Sequence, residues 1–307
     1  MWHHDLMWHY KMRYMMKQVF LVILLAFGFV AGAQNKIVRK PKKQKPATTQ
    51  VAPKKHKSQS KPTKGGTVKR VATKASYSNG TLTVNGIKYS MVWVEGGTFR
   101  MGATSEQGSD AESDEKPVHS VTLSGYYIGK TEVTQALWKA VMGSNPSSFK
   151  GDNLPVEQVS WNDCQEFIRK LNSLTGQNFR LPTEAEWEFA CRGGNNSRGY
   201  KYSGSNYIDN VAWYDGNSGD KTHPVGTKAP NELGIYDMSG NVWEWSADWY
   251  GDYSSGAQTN PKGPYGGSYR VYRGGSWNCY VRYCRSSDRG DGFPTLRYFD
   301  LGLRLAL

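Results

Sequence analysis

Arg180-Leu181-Pro182-Thr183-Glu184-Ala185-Glu186-Trp187-Glu188-Phe189-Ala190-Cys191-Arg192-Gly193-Gly194 divides this 307-residue chain into two kinds of sequence. Thr183 and Glu186 have the spacing of a capping box, in which a hydroxyl and a carboxylate each satisfy a backbone N–H of a first helical turn. Gly193-Gly194 lies just past Cys191, so that thiol falls near a helix C-terminus. Upstream, periodicity is legible. Trp161, Cys164, Phe167, Ile168, Leu171 and Leu174 recur at helical spacing with Asp163, Glu166, Arg169 and Lys170 on the other face, Ser160 as the cap and Gly176 as the stop. A shorter helix is expected over about 134–142, closed by Gly143. Before it, residues 81–84 and 87–94 predict a hairpin turning on Asn85-Gly86, a dipeptide that tolerates positive φ. Downstream of Gly194 there is little periodicity and much Gly, Asn, Asp, Ser, Tyr and Trp. Such a segment is compact only when aromatics fill its core and local hydrogen bonds, turns or ions fix its loops. The pattern predicts an α+β domain whose second half has low regular secondary structure.

The first 75 residues carry no such pattern. Lys11, Arg13 and Lys17 precede an apolar run over 19–30, and Ala31-Gly32-Ala33 supplies small residues for cleavage, so residues 1–33 read as a secretory signal peptide. Residues 34–75 hold fourteen Lys and Arg and no acid among Pro, Thr, Ser and Gln, which is the composition of a disordered basic linker. The formal net charge of +13 is carried by this segment and by the signal, which leaves residues 76–307, one domain, mildly acidic. That balance disfavours a nucleic-acid-binding face on the fold and leaves the linker to contact an anionic envelope surface. The expected location is exported: periplasm, cell envelope or medium.

Four cysteines are present. Export makes disulfides the default for Cys164, Cys191, Cys279 and Cys284, and sequence does not rank the three full pairings. In Arg273-Gly274-Gly275-Ser276-Trp277-Asn278-Cys279-Tyr280-Val281-Arg282-Tyr283-Cys284, two of them stand five positions apart after a tight Gly-Gly turn. As thiols they form a soft two-sulfur site that selects Cu(I) over hard cations; as a disulfide they lose that chemistry.

A second group is Tyr236-Asp237-Met238-Ser239-Gly240-Asn241-Val242-Trp243-Glu244-Trp245. Asp237 and Glu244 offer carboxylates and the turn between them offers carbonyls, the oxygen supply a Ca2+ ion needs. The bland alternative is that both acids bond turn amides. His119 and His223 are isolated, which disfavours a multi-histidine iron site. No Walker-type phosphate loop and no Gly-x-Ser-x-Gly elbow occurs. The aromatic stretches 243–253 and 265–272 are expected in the core, and the acidic stretch 110–115 reads as a solvated loop.

The ordered set Val92-Trp93-Val94-Glu95-Gly96-Gly97-Thr98-Phe99-Arg100-Met101-Gly102, Glu132-Val133-Thr134, Pro155-Val156, Val159-Ser160-Trp161, Arg180 through Glu188, Gly240-Asn241-Val242-Trp243-Glu244-Trp245, Arg273-Gly274-Gly275-Ser276-Trp277 and Gly302-Leu303-Arg304 resembles the formylglycine-generating enzyme, or sulfatase-modifying factor, family. The resemblance implies a C-type-lectin-like α+β fold. It implies Cys279 and Cys284 as Cu(I) ligands and redox centre, with Ser276 lining the oxygen and substrate pocket. The implied reaction uses O2 to convert a sulfatase cysteine, in a Cys-x-Pro-x-Arg segment, to formylglycine. It also implies structural calcium held by Asp237, the carbonyls of Gly240 and Val242, and Glu244, with a second ion at Asn210 and the carbonyl of Val211. The chain departs from the family in lacking a third cysteine between Cys284 and Arg289 and a terminal one, which leaves Cys191 open to Cys284, Cys279 or Cys164. The other functional reading is a non-catalytic, calcium-braced envelope module of the same family, with an envelope protein or glycan as partner.

Overall fold

The computed structural model describes residues 73–307; the signal segment and the basic stretch up to residue 72 lie outside the described residues. The hairpin forms as the Asn-Gly turn predicts. β2 (Thr81–Val84) pairs antiparallel with β3 (Ile87–Val94) around Asn85 at φ +50°. β1 (Ala75–Ser78) adds on the far side of β2 and β6 (Tyr126–Gly129) on the far side of β3, giving the order β1-β2-β3-β6. β1 escaped the sequence reading because it abuts the basic linker and is only half buried.

Three helices pack where the caps put them. α1 (Gln135–Met142) is capped by Thr134 and closed by Gly143 in the left-handed region. α2 (Trp161–Thr175) has a capping box of Ser160 and Asp163 and ends at Gly176, at φ +68°. α3 (Glu184–Cys191) is capped by Thr183, whose hydroxyl and the Glu186 carboxylate form the reciprocal box. α1 and α2 stack Trp138 on Phe167 with ring centroids 4.9 Å apart, and bury Leu137, Cys164, Ile168 and Leu171 against β1 to β3. α3 is buried on nearly every face, which suits its mixed apolar and acidic sequence only because its acids are paired.

The second half is irregular, as its composition predicts. After α4 (Ile208–Val211) no strand begins until β7 (Trp243–Trp249). β7 is the centre of a sheet in the order β10-β9-β7-β11, with β9 (Arg270–Arg273), β10 (Arg289–Gly292) and β11 (Leu301–Leu303). A third, small sheet orders β4 (Gly97–Met101), β5 (His119–Leu123) and β8 (Gln258–Thr259). The segment after β11 ties the first sheet in: Leu305 and Leu307 carbonyls accept from the Gly129 and Tyr127 amides at 2.8 and 3.0 Å, and Ala306 exchanges two bonds with Arg180. Among the described residues no helix is long and apolar enough to cross a membrane.

The acidic stretch is not a solvated loop. Glu115 is fully buried against Arg285 at 2.6 Å, and Asp110 bonds Lys201 at 2.7 Å, because three basic side chains face this stretch from distant segments. The aromatic stretches divide: Trp245 is buried in the core while Tyr265 and Tyr269 are exposed.

Candidate thiol and calcium sites

β9 ends at Arg273, and Gly274 and Gly275 follow with φ +103° and +73°, backbone that glycine adopts without strain. The chain reverses and a one-turn helix, Val281–Cys284, brings Cys284 back beneath the turn. Cys279 is 6% exposed and Cys284 fully buried. Ser276 Oγ lies 3.2 Å from Cys279 Sγ and donates to Asp300 Oδ2 at 2.8 Å, while the Asn278 amide donates to the same hydroxyl at 3.3 Å. Trp277 closes the rim between Phe149 and Phe299. The structure places Ser276 against Cys279 and adds Asp300 to that pair, while Cys284 packs under Gly275 of the same turn.

All four cysteines are free thiols, so the disulfide default does not hold in this structure. Cys164 sits in the α1–α2 core, Cys191 in the core around Trp187 and Cys284 in a third cluster with Tyr202 and Val211. Cys191 Sγ is directed to the Met238 carbonyl at 3.6 Å. The stretch lacking a third cysteine is held by ion pairs instead. Arg273 binds Glu188 at 2.5 Å and the carbonyls of Ser286, Ser287 and Asp288; Arg285 binds Glu115, and Arg289 binds Glu184 at 2.6 Å.

Burial, reinforced by the nearby Asp300 carboxylate, pushes the Cys279 thiol up to about 12. Burial pushes the Cys284 thiol well above the usual thiol range, with Cys279 and Asp288 adding to it. Both are neutral thiols at physiological pH, and a thiolate forms there only when a cation takes up its charge. Two sulfurs in a dry surround fit a soft monovalent ion. A cavity of about 520 Å³ lies outside the turn, lined by Tyr280, Val281 and Arg282 between the cysteines and by Asp110, Tyr214, Asp215 and Gly216. It is joined to the thiol site through the Asp215 amide, which donates to the Cys279 carbonyl at 3.0 Å.

The calcium set is only partly assembled. Asp237 is buried on the turn that also carries Gly240 and Val242, and its Oδ2 accepts from the Gly226 amide at 2.6 Å. Glu244 is a correction: both its oxygens bind Arg304, at 2.6 to 3.1 Å, and one accepts from the Trp187 indole at 2.7 Å, so its charge is neutralised by a guanidinium. Glu132, absent from the sequence-derived set, is the acid that stands beside Asp237. It is fully buried, hydrogen-bonds Asp237 and accepts from Asn241 Nδ2 and the Val242 amide at 3.3 and 3.4 Å. Burial pushes Asp237 up to about 6 and Glu132 well above the usual carboxylate range, the latter further raised by Asp237 and Glu244. Two adjacent buried acids that resist ionising fit a dication between them. The second ion has less support. The Asn210 side chain is exposed, its carbonyl accepts from the Ala229 amide at 2.9 Å, Val211 is buried in the third core cluster, and no group of three acidic, His or Cys side chains converges among the described residues.

His119 packs against Tyr253, and His223 stacks on Trp213 at 3.7 Å, each apart from the thiols. The missed residues had faint signals. Asp300 is a lone acid between Phe299 and Leu301, and Glu132 precedes the Val133-Thr134 helix cap.

The family model described as the sulfatase-modifying factor enzyme 1-like domain matches residues 82–307. The chain belongs to this family. Among its relatives, the chaperone protein LppX of Paenibacillus barcinonensis is 38% identical over 253 residues, 66% of this chain and 82% of that one. The formylglycine-generating enzyme of Streptomyces coelicolor is 31% identical over 284 residues, 70% of this chain and 88% of the enzyme. A solved structure, Treponema denticola variable protein 1, superposes with a TM-score of 0.67 at 36% identity, covering 74% of this chain and 97% of that one. The fold of this sulfatase-modifying factor family member is the C-type-lectin-like α+β fold.

Proposed function

We propose that this family member is an exported formylglycine-generating oxidase, with Cys279 and Cys284 as Cu(I) ligands and a Cys-x-Pro-x-Arg segment of a sulfatase polypeptide as substrate. The observation that carries this reading is the pair of buried free thiols set five positions apart on the turn after the Gly-Gly pair, with Ser276 against Cys279. Copper, when bound, supplies a centre at which O2 and a substrate thiol can react. The chain's own groups do the rest. Gly275 lets Cys284 approach the turn, Ser276 holds the Cys279 sulfur, and Trp277 with Phe149 and Phe299 keeps water from that side. Tyr280 and Arg282 line the cavity where an extended polypeptide would lie. In the overall conversion the substrate C–S bond breaks and sulfur leaves as sulfide. One oxygen atom becomes the aldehyde and the other becomes water, with two electrons from an external thiol reductant. Structural calcium is assigned to Asp237 and Glu132 with the Gly240 and Val242 carbonyls.

The test is reconstitution of the purified chain with Cu(I), O2, a thiol reductant and a Cys-x-Pro-x-Arg peptide, read by mass spectrometry. Conversion of the peptide thiol to an aldehyde, lost in Cys279→Ser and in Cys284→Ser, is expected. An unchanged peptide with copper bound at both sulfurs would overturn the reading. The second reading, a non-catalytic envelope module, draws on the surface pair Tyr269 and Phe293, with ring centroids 4.6 Å apart. Retention of a partner protein or glycan by the double cysteine variant would favour it.

A further inference from the structure

We infer that Asp300 is a positioning residue that fixes the direction of the Cys279 thiol proton. Asp300, Ser276 and Cys279 are 1%, 0% and 6% exposed, so water does not compete for their hydrogen bonds. A serine hydroxyl has one proton to donate and two lone pairs to offer. With Asp300 ionised, the Ser276 proton is committed to its Oδ2 at 2.8 Å, since a carboxylate oxygen only accepts. Ser276 Oγ therefore meets Cys279 Sγ, 3.2 Å away, with a lone pair, and the thiol is the donor. The Asn278 amide fills the other lone pair of Ser276 Oγ at 3.3 Å. Every direction in the chain Cys279, Ser276, Asp300 is thus set by groups that can act in only one sense.

The consequence bears on the thiol site. With its S–H bond turned to Ser276, the sulfur presents its lone pairs in a fixed direction away from that hydroxyl. A soft ion or a second sulfur meets an oriented donor instead of a rotating thiol. This use rests on the copper reading, but the orientation itself does not.

The test is infrared spectroscopy of the S–H stretching band in the reduced, metal-free full chain, with the Cys279 band identified by its loss in Cys279→Ala. In the unaltered protein the band lies at the low wavenumber of a hydrogen-bonded thiol. Asp300→Asn offers Ser276 a donor amide in place of an obligate acceptor, and the band is expected to move to higher wavenumber. Ser276→Ala is expected to move it to the same place, and Ser276→Thr to leave it near its original position. An unmoved band in Asp300→Asn with a moved one in Ser276→Ala overturns the role of Asp300. An unmoved band in Ser276→Ala overturns the whole arrangement, and it decides the matter if Asp300→Asn does not fold. Neither result depends on copper or on substrate, so loss of the oxidase reading leaves this one standing and the reverse.

Discussion

Gly275 and Cys284 touch. A β-carbon on Gly275 would stand 2.7 Å from Cys284 Sγ and 3.0 Å from its Cα, and Gly275 has φ +73°. The turn and the thiol beneath it therefore form one packing unit. Gly275→Ala combines a strained backbone with overpacking, and it is expected to cost about 1–3 kcal/mol. Urea unfolding of the reduced protein measures this; a midpoint equal to that of the unaltered chain would contradict the contact.

The thiols themselves are open to direct counting. Alkylation after denaturation without reductant is expected to label all four cysteines, because the structure holds each as a free thiol. In the native protein Cys279, pushed up to about 12, carries on the order of a thousandfold less thiolate than an ordinary cysteine, and its labelling is expected to be correspondingly slow. Peptide mapping that finds a bridge from Cys191 to Cys279 or Cys284 would refute the arrangement.

Arg304 and Glu244 make a fully buried bidentate pair. Removing one partner strands the other charge in the core, so Arg304→Leu is expected to destabilise the domain by about 3–5 kcal/mol. Equilibrium denaturation is the measurement, and a loss below about 1 kcal/mol would show that the pair is not buried as described.

Glu157 sets a pH dependence. It is fully buried, accepts from the Phe149 amide at 2.9 Å and has Oε2 without a hydrogen-bond partner; burial first, and the Asp300 charge to a lesser extent, push its carboxyl up to about 7. An unfolded glutamate titrates near ~4.3, so the folded state holds its proton more tightly. The resulting stability is complete below about pH 4 and is lost as the pH rises through 7, by about 3 kcal/mol. Glu157→Gln is expected to lose less stability than the unaltered chain between pH 5 and pH 8. Parallel slopes for the two proteins would rule this out.

Calcium is expected to raise the unfolding midpoint by neutralising Glu132 and Asp237, with a gain of about 2.7 kcal/mol at a hundredfold excess over its dissociation constant. Asp237→Asn should remove most of that gain. A midpoint indifferent to calcium and to chelator in the unaltered protein would sink the assignment.

Much of this was legible in the sequence because local signals and global packing agree. Thr134, Ser160 and Thr183 cap the helices they announce, and Asn85-Gly86 turns the hairpin. The spacing of Ser276, Cys279 and Cys284 also survived, since a tight turn and a one-turn helix leave little freedom between them. What sequence could not show were pairings across long separations. Glu115 finds Arg285 across 170 positions, so its stretch looked solvated. Glu244 and Arg304 are 60 apart, and the carboxylate expected to hold calcium is spent on that arginine. Asp300 reaches Ser276 over 24 positions, and Glu132 reaches Asn241 over 109. Charge patterns in sequence give the supply of partners but not the choice among them.

Residues 301–307 thread between β7 and β6 and also bond Arg180, joining segments separated by more than a hundred positions. On a ribosome, the slots they occupy stay open until this stretch has emerged. Assembly of the domain is therefore gated by the emergence of residues 301–307 instead of proceeding vectorially from its first hairpin, and a nascent chain cut short before Leu301 exposes an unfilled strand position beside Trp243.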